Sequence, residues 1–258
     1  MNLKEKFYNL FGLYLEKQTS KKRVLKLIKK LLPVKIDIEL IRLGENNDGG
    51  YIIPNDLEGI TKNYSAGIGK LVGFEKDLQE KFSINSNMLD FNEIDRNILP
   101  NNCNFLKKKL SLKDNDTDIS INNWIDNLDK EVILKIDIEG DEYPILANIS
   151  DENLKKIRIL IIELHDLRNL RNNVFFSFFE KIISRFDQYF YSCYLHPNNS
   201  SKVKFISNIE IPDMLEITFI KKNRLSRIPT EYIKLPHALD QRTITTKKEI
   251  FIDQKWYD

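Results

Sequence analysis

Apolar residues in this chain follow two kinds of pattern. The runs Val132-Ile133-Leu134-Lys135-Ile136 and Arg158-Ile159-Leu160-Ile161-Ile162 are short, rich in β-branched residues and hardly interrupted by polar ones. Such runs predict central strands of a parallel sheet, buried on both faces. At the other extreme, Leu3, Phe7, Leu10, Phe11, Leu13 and Leu15, then Val24, Leu25, Leu27, Ile28 and Leu31, recur at helical spacing up to Pro33. They predict two helices broken near Thr19-Ser20, with Ser20 placed to cap the second. Trp124 and the run Phe175, Phe176, Phe178, Phe179 read as core.

Between these extremes, seven of the nine glycines fall from Gly44 to Gly73. Asn63–Ala66 reads as a strand that enters a turn at Gly67-Ile68-Gly69, and a helix begins at Phe74-Glu75. A second strand, Asn87–Phe91, carries Asp90 about twenty residues past the turn. That is the spacing of a nucleotide-type site, in which glycines let the backbone close on a ligand and the acid takes ribose hydroxyls. No third glycine opens the helix and no Walker-type Gly-Lys-Ser/Thr occurs, so a pyrophosphate cradle is not supported. S-adenosylmethionine has a ribose and no phosphate, which favours a methyltransferase over a dehydrogenase.

The ends of the two apolar runs carry the candidate chemistry. One continues into Asp137-Ile138-Glu139-Gly140 and the other into Glu163-Leu164-His165. Side-chain alternation puts Asp137 with Glu139 on one face, and Glu163 with His165 on one face. Ligands of open α/β sheets bind beyond the carboxyl ends of the strands, so one crevice would receive three carboxylates and an imidazole. Asp137, Glu163 and His165 could hold Mg²⁺ or Mn²⁺, and the nitrogen ligand tilts the choice towards Mn²⁺. Blander roles stay open beside these: helix capping for Asp137 and Glu139, a rim ion pair for Glu163, and structural hydrogen bonding for His165 and His196. Asp48 and Tyr51 either fix a methionine moiety or shape a turn. His237 reads as structural.

Charge and composition narrow the picture. The net charge is +2 over 258 residues, but residues 1–33 carry +7 and the remainder −5. The basic excess is confined to that segment, which argues against nucleic acid as a partner. The chain is long enough for one large α/β domain, read as 35–258 behind basic helices at 1–34. Two distant cysteines, no membrane-length apolar stretch and no signal-type leader predict a reduced, cytoplasmic protein without stable membrane insertion. A homodimer stays open.

Arg42-Leu43-Gly44, Asp48-Gly49-Gly50-Tyr51, Ser65-Ala66-Gly67-Ile68-Gly69 with Phe74-Glu75, Leu134–Gly140 and Ile162–His165 together resemble the FkbM-type S-adenosylmethionine-dependent methyltransferases. The pattern looks most like bacterial members encoded among capsule and surface-polysaccharide genes, where sugar O-methylation is typical. His196-Pro197-Asn198-Asn199 and Ile211–Thr218 match a late motif of that subgroup, which usually has glycine at the position of Pro197. The resemblance spans roughly residues 40–240. It implies an α/β fold of Rossmann-like class I type, a seven-stranded, mostly parallel sheet with an antiparallel last strand. Gln188–Leu195 and Glu216–Lys221 are the candidates for the final two strands. The expected cofactor is S-adenosylmethionine, at Asp48, Tyr51, Gly67, Gly69, Glu75 and Asp90. The expected acceptor is a hydroxyl of a nucleotide-linked hexose or heptose, with Asp137, His165 and His196 in catalysis. Two alternatives are a metal-independent methyltransferase with a histidine base and a non-catalytic nucleotide-sugar-binding module.

Overall fold

The structure, a computed structural model, describes residues 10–12, 18–125 and 130–258. In chain order the elements are α1 (Lys21–Ile28), β1 (Leu40–Gly44), β2 (Gly50–Pro54), β3 (Lys62–Ala66), α2 (Gly73–Phe82), β4 (Asn85–Asp90), β5 (Asn104–Lys107), β6 (Lys109–Ser111), β7 (Asp118–Ser120) and α3 (Ile121–Trp124). There follow β8 (Val132–Ile136), α4 (Glu142–Asn148), α5 (Asp151–Lys156), β9 (Ile157–Leu164), α6 (Asn173–Tyr189), β10 (Phe190–Pro197), β11 (Val203–Ile206), β12 (Ile209–Pro212) and β13 (Leu215–Lys221).

Among the described residues, seven strands form the main sheet, in the order β10-β13-β9-β8-β3-β4-β5. β13 alone runs opposite to the other six strands of this sheet. The unbroken apolar runs become β8 and β9, every residue of which is buried. Alternation then sorts their side chains between two cores. Leu134, Ile136, Leu160 and Ile162 pack with Phe176, Phe179 and Phe186 of α6. Ile133, Ile159 and Ile161 pack with Phe74 and Leu78 of α2 and with Leu43 and Ile53 of the β1–β2 hairpin. Asp137 and Glu163 continue the second parity, so they emerge on the face covered by the hairpin.

Val24, Leu27 and Ile28 of α1 are buried in the same core as α6, and Arg23 pairs with Glu180 at 2.8 Å. Helix α1 is therefore packed into the body of the fold. Ser20 stands at its N-cap position, but the side chain makes no capping hydrogen bond. The first predicted helix lies mostly outside the described residues. Of the residues read as core, Trp124, Phe176 and Phe179 are buried, whereas Phe178 is 39% exposed on the outer side of α6. The last helical turns of α6 also replace the expected start of the penultimate strand, which begins at Phe190 rather than Gln188. No helix among the described residues is long and apolar enough to cross a membrane.

Candidate active site

The glycine turn after β3 fixes the centre of the site. Gly67 has φ +74, and a Cβ there would lie 1.5 Å from the Asp137 carbonyl oxygen, so only glycine fits. The close approach is held by backbone bonds from Asp137 to Ala66 (3.0 Å) and from Gly67 to Leu89 (2.9 Å). Beside this turn opens a crevice of about 390 Å³, bordered by Asp48, Tyr51, Gly67, Gly69, Asp90, Asp137, Glu163, Asn198, Ser200 and Thr243. A more apolar slot of about 320 Å³, with Phe91, Leu110 and Ile138 in its walls, adjoins it across Gly67, Asp90 and Asp137.

Asp90 ends β4 at this junction and is fully engaged. Its Oδ2 accepts from the amides of Ile68 (3.1 Å) and Gly69 (3.0 Å), its Oδ1 from the Asn92 amide (2.8 Å) and side chain (3.2 Å). The acid thus ties the second strand end to the glycine turn. A ribose hydroxyl would compete most easily with the Asn92 side chain, the longest of the four bonds.

Glu75 stands apart from the crevice. It is buried under α2, where Oε1 accepts from Ser65 Oγ at 2.5 Å and lies 3.2 Å from Lys135 Nζ. Lys135 in turn donates to Tyr51 Oη at 3.4 Å and lies 4.6 Å from the Tyr51 ring centroid. A charge placed on β8 at an inward position needs such partners, and the only predicted cofactor residue this network presents to the crevice is Tyr51. Asp48 is exposed at the crevice rim, where its Oδ1 accepts from the Gly49 amide at 3.0 Å.

Asp137, Glu163 and His165 converge. One ligand atom from each lies within 4.8 Å of the others. Carboxylate oxygens of Asp137 and Glu163 lie within 4.8 Å of each other, and two buried carboxylates that close need a shared proton or a cation between them. Burial, then the Glu163 charge, pushes Asp137 well above the ordinary carboxylate range; burial and the Glu216 charge raise Glu163 as well. His165 Nδ1 lies 2.8 Å from Glu142 Oε1. Its Nε2 is buried without a hydrogen-bond partner. Burial lowers the imidazole pKa, but the Glu142 bond and the surrounding carboxylates outweigh it and raise it to about 9. Two oxygens, one ring nitrogen that makes no hydrogen bond and a carboxylate behind the ring fit a divalent cation.

Glu139 leaves the strand yet still borders the crevice with Asp137 and Glu163. The strand ends at Ile136, and Glu139 has φ +57 in the following turn, with its side chain 86% exposed and 3.5 Å from His165 Nε2. Neither Asp137 nor Glu139 caps α4, whose N-cap residue is Asp141.

His196, near the end of β10, lies in a small polar niche off the crevice, with Arg42, Tyr51, Glu163, Asn198, Glu216 and Thr243 around it. Its Nδ1 is 2.8 Å from Asp240 Oδ1, off the line of a well-aligned hydrogen bond, and its Nε2 is 3.2 Å from Thr243 Oγ1. Burial opposes protonation, but Asp240 more than compensates and raises the imidazole pKa. Across the sheet, β13 sets Glu216 in register with His196 on one side and Glu163 on the other. Burial pushes Glu216 up to about 7. Asn198 Nδ2 donates to Glu163 Oε1 at 2.6 Å.

Sequence reasoning did not single out Glu142, Asn198, Glu216, Asp240 or Thr243 as site residues. Glu216 had a signal, an acid inside the apolar run Leu215–Ile220. Asp240 and Thr243 had none, because they belong to an irregular segment that only tertiary structure brings to the crevice.

A mainly parallel α/β sheet with a glycine turn, an acid at the next strand end and a crevice beyond them fits a methyltransferase-like fold. Comparison with protein families identifies which one. The family described as the methyltransferase FkbM domain matches residues 54–193, more than half of the 258 residues, and the chain belongs to that family. No curated protein matches the chain.

Proposed function

We propose that this protein is an S-adenosylmethionine-dependent O-methyltransferase of Rossmann-like class I architecture. On this reading it acts in the cytoplasm on a hydroxyl of a nucleotide-linked hexose or heptose for capsular or surface polysaccharide. The observation that carries the reading is the convergence of Asp137, Glu163 and His165 beside the glycine turn, with Glu142 orienting His165. The acidic crevice suits a sulfonium cation, the apolar slot suits an adenine, and Asn198, Ser200 and Thr243 offer a polyol its hydrogen-bond partners.

A sugar hydroxyl is a weak nucleophile at neutral pH, so transfer needs a base, an acidifying metal, or both. Asp137, Glu163 and His165 Nε2 would hold Mn²⁺ or Mg²⁺, and such an ion supplies Lewis acidity towards a bound hydroxyl. Glu142 keeps the His165 proton on Nδ1, leaving Nε2 free as a ligand. His196 receives the acceptor's proton. The Asp240 contact also supports a second reading, in which His196 suffices without metal.

The test is methyl transfer from labelled S-adenosylmethionine to a panel of nucleotide-linked hexoses and heptoses, before and after exhaustive chelation. Turnover that EDTA abolishes and Mn²⁺ or Mg²⁺ restores is the expected result. Full turnover without metal leaves the His196 reading standing, and absence of cofactor binding by calorimetry sinks both.

A further inference from the structure

The segment after β13 runs back over the crevice as an irregular strap, beyond the part of the chain matched to the family. Its position is closely held. Asn199 Oδ1 accepts from the Ile244 amide (2.7 Å) and Asn199 Nδ2 donates to the Ile244 carbonyl (2.9 Å). On the other side, Gln241 Oε1 accepts from the Asn47 amide at 2.8 Å. Thr243 lies between these two anchors. It borders both the main crevice and the niche, whereas His196 borders only the niche. Among the described residues, the hydroxyl of Thr243 is the group of the shared wall with a hydrogen bond to the imidazole, at 3.2 Å from Nε2.

We infer that Thr243 is a catalytic proton relay between the acceptor hydroxyl and His196, and that Asp240 is the positioning residue that orients His196 for it. The inference rests on the methyltransferase reading above and adds the path of the proton. The acceptor oxygen bonds to the methyl carbon while the carbon–sulfur bond breaks, and that electron pair stays on sulfur as a thioether. The acceptor proton passes to Thr243 Oγ1, whose own proton passes to His196 Nε2. The charges that face the resulting imidazolium are Asp240 from the strap, Glu216 from β13 and Arg42 from β1, the last opposing it. Tyr194 Oη donates to Asp240 Oδ1 at 2.7 Å, which fixes the carboxylate.

The test combines kinetics with imidazole spectroscopy on the full chain. Thr243→Val should lower kcat by about 100-fold or more, the range of a lost proton transfer, with cofactor Kd unchanged. Thr243→Ser, which keeps a hydroxyl, should recover most of that loss. Asp240→Asn should lower kcat and move the acid limb of the pH–rate profile to lower pH, since His196 loses the carboxylate that favours its charged form. In ¹⁵N-labelled protein, the His196 resonances should shift in both Asp240→Asn and Thr243→Val. Wild-type kcat in Thr243→Val, or a cofactor Kd that weakens in step with kcat, overturns the relay. Unmoved His196 resonances overturn it as well. Shifted resonances alongside no methylation of any sugar on the panel support the contact and count against the acceptor class alone.

Discussion

Asp90 shows how one side chain serves both the fold and the site. Four donors from the turn and from Asn92 converge on its carboxylate, two of them amides of the glycine loop. Asp90→Ala should therefore weaken S-adenosylmethionine binding by about 1–3 kcal/mol, the cost of unpaired polar groups, and also lower the melting temperature. Asp90→Asn keeps a carbonyl acceptor for the loop, so calorimetry should find the affinity loss with a smaller change in melting. Unchanged affinity in both variants would remove Asp90 from the cofactor site. Gly67 is the sharper case, because a methyl group there meets the Asp137 carbonyl. Gly67→Ala should cost at least about 1–3 kcal/mol from the left-handed backbone alone, and more from the clash, read as a large fall in melting temperature. The spacing of Gly67, Asp90, Asp137, Glu163 and His165 was legible because all five stand at or just past strand ends, where chain order and spatial order agree. Glu75 was misplaced because a motif gives a position in sequence but not the direction of a side chain: the first turn of α2 points Glu75 down to Lys135.

At the level of elements, apolar pattern was a good guide wherever an element lies wholly inside. The runs that became β8 and β9, and the helical spacing of Val24, Leu27 and Ile28, translate directly into buried faces. The β1–β2 hairpin and the strap over His196 escaped notice for the opposite reason. Both are short or irregular, and their place depends on partners far away in sequence, such as Asn47 with Gln241 and Asn199 with Ile244. The burial of α1 also bears on how the basic segment is divided from the rest. Leu27 is 1% exposed in the core shared with α6. Leu27→Ala should destabilise the whole protein by about 2–5 kcal/mol in a single unfolding transition, as a large-to-small change in a packed core does. Exposed Lys26→Ala should be nearly neutral. A separate, early transition affecting α1 alone would show that the helix is an independent appendage.

For the molecule as a whole, the crowded acids make stability depend on pH, and the proposed cation would change the sign of that dependence. In the metal-free protein Glu216 is raised from 4.5 to about 7 and His165 from 6.5 to about 9. Each group is more favourable in the fold when protonated, so its contribution is complete below the unfolded pKa and is lost as pH rises through the folded one. Glu216 should lose its contribution between about pH 4.5 and 7, and His165 between about 6.5 and 9. The chelated protein should therefore melt at progressively lower temperature from about pH 5 to 9. A divalent ion at Asp137, Glu163 and His165 reverses the trend, because it competes with protons for the same atoms and binds more tightly as they leave. Thermal melts with and without Mn²⁺ should show a small stabilisation near pH 5.5 and a much larger one near pH 8, a difference set by ligand deprotonation. Equal stabilisation at both values would place the ion elsewhere, and no stabilisation at either would leave the three residues as a proton-sharing cluster around His165.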